Sequence, residues 1–96
     1  MRTIKLEEIF ETLKEDTTHI VFTKLDGSVR TMVATLDPQF LPDASKAEDD
    51  QKRLIEANKQ GKLSAIAVWD MENQDWRSFR LSNLSHFGDE EVTFKS

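Results

Sequence analysis

The stretch Val68-Trp-Asp-Met-Glu-Asn-Gln-Asp-Trp-Arg-Ser-Phe-Arg-Leu81 decides how this sequence folds. Two segments rich in aromatic and β-branched residues enclose the polar centre Met71 to Gln74, a pattern that predicts a β-hairpin. Alternation along its second strand places Arg77, Phe79 and Leu81 on one face and Trp76, Ser78 and Arg80 on the other. The aromatic and cationic residues of this hairpin therefore cannot all form one surface patch.

The first strand of this hairpin is predicted from Leu63 to Asp70. Its alternation puts Ala65, Ala67 and Trp69 on one side and Ile66 and Val68 on the other, and the small alanines indicate that another element approaches closely. After the hairpin, Leu81 to Leu84 resembles a short helical turn, and Val92 to Phe94 is predicted to form a final edge strand.

A second hairpin is predicted upstream, from His19 to Lys24 and from Val29 to Leu36, because Asp26-Gly27 between them is a strong turn signal. A two-residue loop would pair Lys24 with Val29, Phe22 with Thr31 and Ile20 with Val33. One face would then hold Ile20, Phe22, Val29 and Val33, and the other His19, Val21, Arg30, Met32 and Ala34. Both faces are partly apolar, as expected when a small sheet curls into a barrel that a helix covers in part.

Two segments have helical patterns. From Ile4 to Lys14, Leu6, Ile9, Phe10 and Leu13 share one helical face, and Thr3 is a candidate N-cap. Beyond the prolines of Asp37-Pro38 and Leu41-Pro42, Ser45 and Glu48 form a capping-box pattern and Gly61 suits a C-cap, so Ala47 to Gln60 is predicted to be helical. Its thin apolar stripe predicts an insertion that docks loosely. The acidic run Glu48 to Asp50 is typical of a helix start and does not predict a metal site.

Composition limits the function. The 96 residues suffice for one domain, divided as 1–17 (helix), 18–36 (first hairpin), 37–62 (proline-bounded loop and helix) and 63–96 (second hairpin and last strand). A net charge of −5 argues against binding of duplex DNA by neutralising many phosphates. The chain has no cysteine, no apolar run of a signal peptide and none of a membrane span, which predicts an intracellular protein that does not contact membranes.

The order of these elements resembles a known family. The N-terminal helix, Val21-Phe-Thr-Lys24, the Asp26-Gly27 turn, Arg30 to Pro38, Val68-Trp-Asp70 and above all Trp76-Arg-Ser-Phe-Arg80 are similar to small proteins of tailed phages grouped as WYL-like, over about residues 18 to 85. The resemblance implies a mainly β (α+β) fold, a small SH3-like or Sm-like antiparallel barrel of about five strands with an N-terminal helix and a helical insertion near residues 46–60. It also implies work in the cytoplasm of the infected host, and it carries over no catalytic residue.

Signatures of an enzyme, a cofactor site or a metal site are not found in the sequence. It contains no Gly-rich phosphate loop, nucleophile elbow or His-Glu-x-x-His motif, and His19 and His86 lack the spacing of a metal site. We therefore expect a protein that is not an enzyme and has no cofactor. The candidate interaction surface comprises Trp69, Trp76, Arg77, Arg80, Lys24 and Arg30. Phe79 is more simply explained as core, and an arginine here can equally pair with Asp70 or Asp75.

Three functional hypotheses follow. The first is a small phage accessory or regulatory factor that docks on a host or phage protein through aromatic and charged residues. The second is a regulator that binds single-stranded DNA or RNA with the same residues, which the net charge disfavours. The third is a purely structural role in an assembly.

Overall fold

A computed structural model describes residues 1–63 and 65–95. These residues form two α-helices, seven strands and a 3₁₀ turn at Leu81–Asn83; in chain order the helices and strands are β1 (Arg2–Ile4), α1 (Leu6–Glu15), β2 (Thr18–Thr23), β3 (Val29–Thr35), α2 (Ala44–Lys59), β4 (Ala65–Asp70), β5 (Asp75–Arg80), β6 (Leu84–Phe87) and β7 (Glu90–Phe94). The predicted mainly β class with two helices is confirmed. The strand count exceeds the expected five because β1 and β6 are too short to give a periodic signal.

The strands of the described residues form one open sheet in the order β1-β7-β6-β2-β3-β4-β5. All neighbours are antiparallel except β1 and β7, which are parallel. The predicted edge strand at Val92 to Phe94 is wrong in position, because β7 lies between β6 and β1. A register shift between Val21 and Phe22 interrupts the pairing of β2 with β6 and bends the sheet there.

The register predicted for the hairpin β2–β3 is wrong by one residue. Lys24 N–H donates to the Ser28 carbonyl (2.8 Å) and Gly27 N–H donates to the Lys24 carbonyl (2.9 Å), so the loop has three residues, Leu25 to Gly27. Gly27 has φ +89°, and the left-handed third residue is typical of three-residue hairpin loops.

This extra loop residue exchanges the two faces of β3. Phe22 is opposite Arg30 and Ile20 is opposite Met32, not Thr31 and Val33. Met32 and Ala34 therefore share the core face with Ile20 and Phe22, while Val29, expected inside, is 68% exposed.

The hairpin β4–β5 follows the predicted alternation. Ile66, Val68 and Asp70 are buried, and the alternate residues Ala65, Ala67 and Trp69 are half-buried. The residues opposite one another include Ile66 with Phe79 and Val68 with Arg77. The predicted strand also included residue 64, which lies outside the described residues.

Helix α1 packs against the core face of the sheet. Its predicted apolar face, Leu6, Ile9, Phe10 and Leu13, is buried and joins a core that also contains residues of both hairpins. The predicted N-cap Thr3 is wrong: the helix begins after Lys5, because Arg2–Ile4 pairs with β7 instead. At the other end, the buried Thr35 hydroxyl donates to the Leu13 carbonyl (3.1 Å) and so satisfies one of the last helical carbonyls.

Helix α2 begins three residues earlier than predicted. Its N-cap is Asp43, whose carboxylate accepts a hydrogen bond from the Lys46 N–H (3.1 Å), so the predicted Ser45 cap is wrong. At the C-terminal end, Gly61 with φ +69° and the bond from Lys62 N–H to the Ala57 carbonyl (2.9 Å) form a Schellman motif. Leu54 belongs to the core and Ile55 packs against it, and the loose docking of this segment stays a prediction.

Candidate functional site

The candidate site is a concave region between the β2–β3 loop and the hairpin β4–β5, which we call the basic cleft. It has a volume of about 570 Å³. Four cationic side chains line it, Lys24, Arg30, Arg77 and Arg80, together with Phe22, Thr23, Leu25, Asp26, Ala65, Ser78, Phe79 and Asn83. Each hairpin thus contributes two cations to one concave surface.

The loop of β2–β3 determines the position of Arg30. In the observed register Arg30 is opposite Phe22 and faces the same side of the sheet as the core, at the rim of the cleft. The predicted register placed Arg30 and Phe22 on different faces. The same extra loop residue that buries Met32 therefore also brings Arg30 into the cleft.

Asp70 is the anchor of the site. It is fully buried at the end of β4, and its carboxylate lies 3.3 Å from Arg30 Nη2 and 3.8 Å from Arg77 Nε. The carboxylate also accepts hydrogen bonds from the Asn73 side chain (2.8 Å) and from the N–H groups of Glu72 (3.0 Å) and Asn73 (3.2 Å). One side chain therefore fixes the β4–β5 turn and orients an arginine from each hairpin.

The surroundings of Asp70 keep it ionised. Burial alone would raise the pKa of this carboxyl, but the hydrogen bonds from Asn73 and Glu72 and the charge of Arg30 hold the pKa below its usual range. An ionised Asp70 neutralises part of the charge of Arg30 and Arg77. It therefore reduces the electrostatic repulsion between these two arginines.

The four cations differ in how well they are paired. Arg77 Nε is buried and has no hydrogen-bond partner in residues 1–63 and 65–95, because the nearest Asp70 oxygen is too far away. Lys24 and Arg80 are exposed, and neither forms an ion pair within the described part of the chain. The cleft thus offers two unpaired cations and one buried donor that lacks an acceptor.

Asp26 is the acidic residue at the mouth of the cleft. Its carboxylate accepts hydrogen bonds from the Ser28 hydroxyl (2.6 Å) and the Ser28 N–H (2.9 Å). These bonds, the one from the hydroxyl first, lower the pKa of Asp26. Asp26 is therefore ionised at neutral pH and serves the loop structure.

The two tryptophans of the predicted surface lie elsewhere. Trp69 and Trp76 are opposite one another on the outer face of β4–β5. Their rings are in an edge-to-face arrangement with centroids 5.5 Å apart. Trp76 packs against the core beneath α2. Of the six predicted residues, the structure brings Lys24, Arg30, Arg77 and Arg80 together and separates the tryptophans from them. Their role in binding stays a prediction.

The aromatic residues of the cleft are Phe22 and Phe79. Their rings are stacked with centroids 4.9 Å apart, and both are buried, so they form its floor rather than an exposed platform. Phe79 is thus a core residue, as its simpler interpretation held. Sequence reasoning missed the joint role of Asp70, although an acidic residue at a strand end followed by Asn73 is the signal of an Asx turn.

Two further structural findings bear on the site. Among residues 1–63 and 65–95 there is no group of three or more His, Asp or Glu side chains arranged to hold a metal ion. None of the helices in the same residues is long and apolar enough to cross a membrane.

Comparisons with known proteins agree with the resemblance seen in the sequence. The profile of the WYL_2 family, described as an Sm-like SH3 β-barrel fold, matches residues 6–85, a range that contains every residue of the basic cleft. The chain is also similar to an uncharacterized 11.5 kDa protein from the Gp31-cd intergenic region of Enterobacteria phage T4, with 32% identity over 82 residues that cover 84% of this chain and 76% of the relative. No solved structure matches the chain.

Proposed function

We propose that this chain, which belongs to the WYL_2 family of Sm-like SH3 β-barrel proteins, is a non-enzymatic binding module of a phage. It acts in the cytoplasm of the infected bacterium and docks through the basic cleft on an acidic segment of a host or phage protein. The observation that carries the proposal is the convergence of Lys24, Arg30, Arg77 and Arg80 on one concave surface of a protein whose net charge is −5.

Electrostatics favours an acidic partner. Ionised Asp26 and Asp70 offset two of the four cationic charges, so the cleft keeps a positive excess. A carboxylate that enters the cleft would meet exposed Lys24 and Arg80 and the partly exposed side chain of Arg77. Such charge complementarity favours fast and selective association.

The cleft is better suited to binding than to proton transfer. The pKa of Asp26 is lowered by its hydrogen bonds to Ser28, so this carboxylate stays ionised near neutral pH. General acid–base catalysis needs a group that changes protonation near the working pH. These properties support the non-enzymatic assignment.

The position of the aromatic side chains favours a protein partner over a single-stranded nucleic acid. Sequence-tolerant binding of single strands relies on exposed aromatic rings on which bases stack. In the cleft, Phe22 and Phe79 are buried against each other, and neither Trp69 nor Trp76 is among its lining residues. The second candidate, a regulator that binds single-stranded DNA or RNA, keeps the support of the four cations alone.

Fluorescence anisotropy tests the proposal with two labelled probes, a flexible Glu- and Asp-rich peptide and a single-stranded oligonucleotide of similar charge. We expect the peptide to bind with a dissociation constant on the order of 10 μM at low salt and to weaken several-fold at 300 mM salt, since exposed charges are screened. The double variant Lys24→Ala/Arg80→Ala should weaken peptide binding about tenfold, since each lost contact contributes less than about 1 kcal/mol.

The matched control is Lys52→Ala/Lys95→Ala, which removes two exposed positive charges outside the cleft. If this control weakens peptide binding as much as the cleft variant does, binding depends on overall charge and the proposed site is wrong. Tighter binding of the oligonucleotide than of the peptide, lost in the cleft variant, would select the nucleic-acid candidate instead.

A further inference from the structure

A second concave site lies on the outer face of β4–β5, beneath α2. It has a volume of about 430 Å³, and its walls include Phe10, Leu36, Ala47, Leu54, Ala67 and Trp76. Its size falls within the range of roughly 300–1,000 Å³ found for small-molecule sites, and its walls are mainly apolar, as in such sites. It shares no lining residue with the basic cleft.

Small side chains keep this space open. Ala47 on the buried face of α2 and Ala67 on β4 both line it, where leucine-sized side chains would reach into it. α2 faces Ala67 across this space, and the close approach that the alanines of β4 predicted stays a prediction. The helix nevertheless leaves a gap over Ala67 and Trp76 that no described side chain fills.

Gln51 contributes a polar group to this mainly apolar cavity. It lies between Ala47 and Leu54 on the buried face of α2, is only 6% exposed and lines the cavity. Its Oε1 atom is buried and accepts no hydrogen bond from residues 1–63 and 65–95. Buried acceptors in folded proteins nearly always have a donor, because leaving one unpaired is unfavourable.

The charges at the rim restrict what the cavity accepts. Lys46, Asp49, Asp50 and Arg53 line it, so positive and negative groups are equal in number, and Arg53 forms an ion pair with Asp50. The rim therefore attracts neither anions nor cations, unlike the basic cleft.

We infer that the cavity under α2 binds a small, neutral, mainly apolar molecule, such as one with an aromatic ring, that donates one N–H or O–H hydrogen bond to Gln51. The apolar walls would bury the ring, and rotation of the Gln51 amide group would turn its buried Oε1 toward the cavity, where the donor satisfies it. This site is separate from the proposed docking function and does not depend on it.

Indole and indene form a matched pair of probes, because they have nearly the same shape and only indole has an N–H donor. In ¹H–¹⁵N correlation spectra of the whole chain, indole should cause saturable shifts at the amides of Gln51, Leu54 and Ala67 and at the Trp76 side chain, with a dissociation constant on the order of 1 mM. Indene should bind the same residues about tenfold more weakly, since a single hydrogen bond contributes on this scale.

Two variants sharpen the test. Gln51→Met keeps the volume and removes the acceptor, so indole should fall to the affinity of indene; Gln60→Met, the same exchange at an exposed position of the helix C-cap, should leave both affinities unchanged. Ala67→Leu should abolish the binding of both probes by filling the cavity. Shifts that do not saturate or that scatter over the surface would overturn the proposal. Equal affinity of indole and indene for the unmodified chain would also overturn it, whatever the folding of the variants.

Discussion

The hairpins β2–β3 and β4–β5 make similar contributions to the basic cleft but are held in register by different means. The four-residue loop of β4–β5 is organised by the carboxylate of Asp70, which accepts three hydrogen bonds from the turn. The three-residue loop of β2–β3 depends on the left-handed backbone of Gly27. Strand composition alone does not fix the register of β2–β3, because that hairpin has apolar residues on both faces. The loops decide which cations reach the cleft.

Removal of the Asp70 carboxylate should have the largest effect. Asp70→Ala leaves two N–H groups of the turn without their acceptor and leaves Arg30 and Arg77 without their buried counter-charge. We expect the free energy of unfolding to fall by about 3–5 kcal/mol, because the turn loses three hydrogen bonds to a charged acceptor, each of which contributes up to roughly 1.5–3 kcal/mol. Urea denaturation followed by tryptophan fluorescence measures it.

Asp75→Ala is the control for this prediction, because Asp75 is exposed at the other end of the same turn and, among the described residues, its side chain accepts a bond only from the neighbouring Trp76 N–H. Its effect should stay below about 1 kcal/mol. Equal losses in the two variants would mean that Asp70 does not anchor the site.

The register of β2–β3 can be tested by comparing Met32 with Val29. Met32→Ala should lower the free energy of unfolding by about 2–4 kcal/mol, because Met32 is 1% exposed and its truncation leaves a cavity in the core. Val29→Ala should change it by less than about 0.5 kcal/mol, because Val29 is largely exposed. The opposite ranking would restore the register in which Val29 and Val33 face inward.

Acid should destabilise the protein through Asp70. The pKa of Asp70 in the folded state is lowered, so its contribution to stability is present above the unfolded value of about 3.9 and is lost as the pH falls through the folded pKa. Between pH 6 and pH 3 the unmodified chain should therefore lose more stability than Asp70→Asn, whose amide does not titrate. Parallel losses in the two proteins, measured by urea denaturation at each pH, would contradict this contribution.

The contrast between the hairpins also explains how much of the fold could be predicted from the sequence. Alternation predicted the faces of β4–β5 correctly because Ile66 and Val68 on one side and the alanines on the other leave one solution. In β2–β3 the signal Asp26-Gly27 fits both a two-residue and a three-residue loop, and the two differ by the one residue that exchanges the faces. Sequence reasoning therefore placed Arg30 on the wrong face relative to Phe22.

The candidate site was only partly predictable for a related reason. Arg77 and Arg80 are on opposite faces of β5, yet both line the cleft. They can do so because β5 is an edge strand and the cleft extends around this edge of the sheet. Single-strand periodicity carries no information about such an edge. The cavity under α2 was not predicted either, since it depends on how far the helix stands from Ala67.

Gly27 provides the next test of the loop comparison. Its φ of +89° is unfavourable for any residue with a Cβ, although no atom lies within 4 Å of the position of an added Cβ. Gly27→Ala should therefore lower the free energy of unfolding by about 1–2 kcal/mol through backbone strain alone. Because Arg30 follows this loop, the variant should also weaken peptide binding. Unchanged stability would show that the loop does not need the left-handed conformation.

Gln74 offers the smallest effect and the opposite sign. It occupies the last position of the β4–β5 loop with φ +53°, and within residues 1–63 and 65–95 it is the one non-glycine residue with a positive φ. Gln74→Gly should relieve this backbone strain, which raises the free energy of unfolding by about 0.5–1 kcal/mol. The larger entropy of glycine in the unfolded state offsets part of this gain. Thermal unfolding followed by circular dichroism can resolve this gain. A gain at Gln74 with a loss at Gly27 would show that both loops use the left-handed region, and that β4–β5 tolerates a strained residue there because Asp70 holds its turn. Destabilisation at both positions would instead mean that the Gln74 side chain itself supports the turn. The carboxylate of Asp70 alone would then not account for the β4–β5 register.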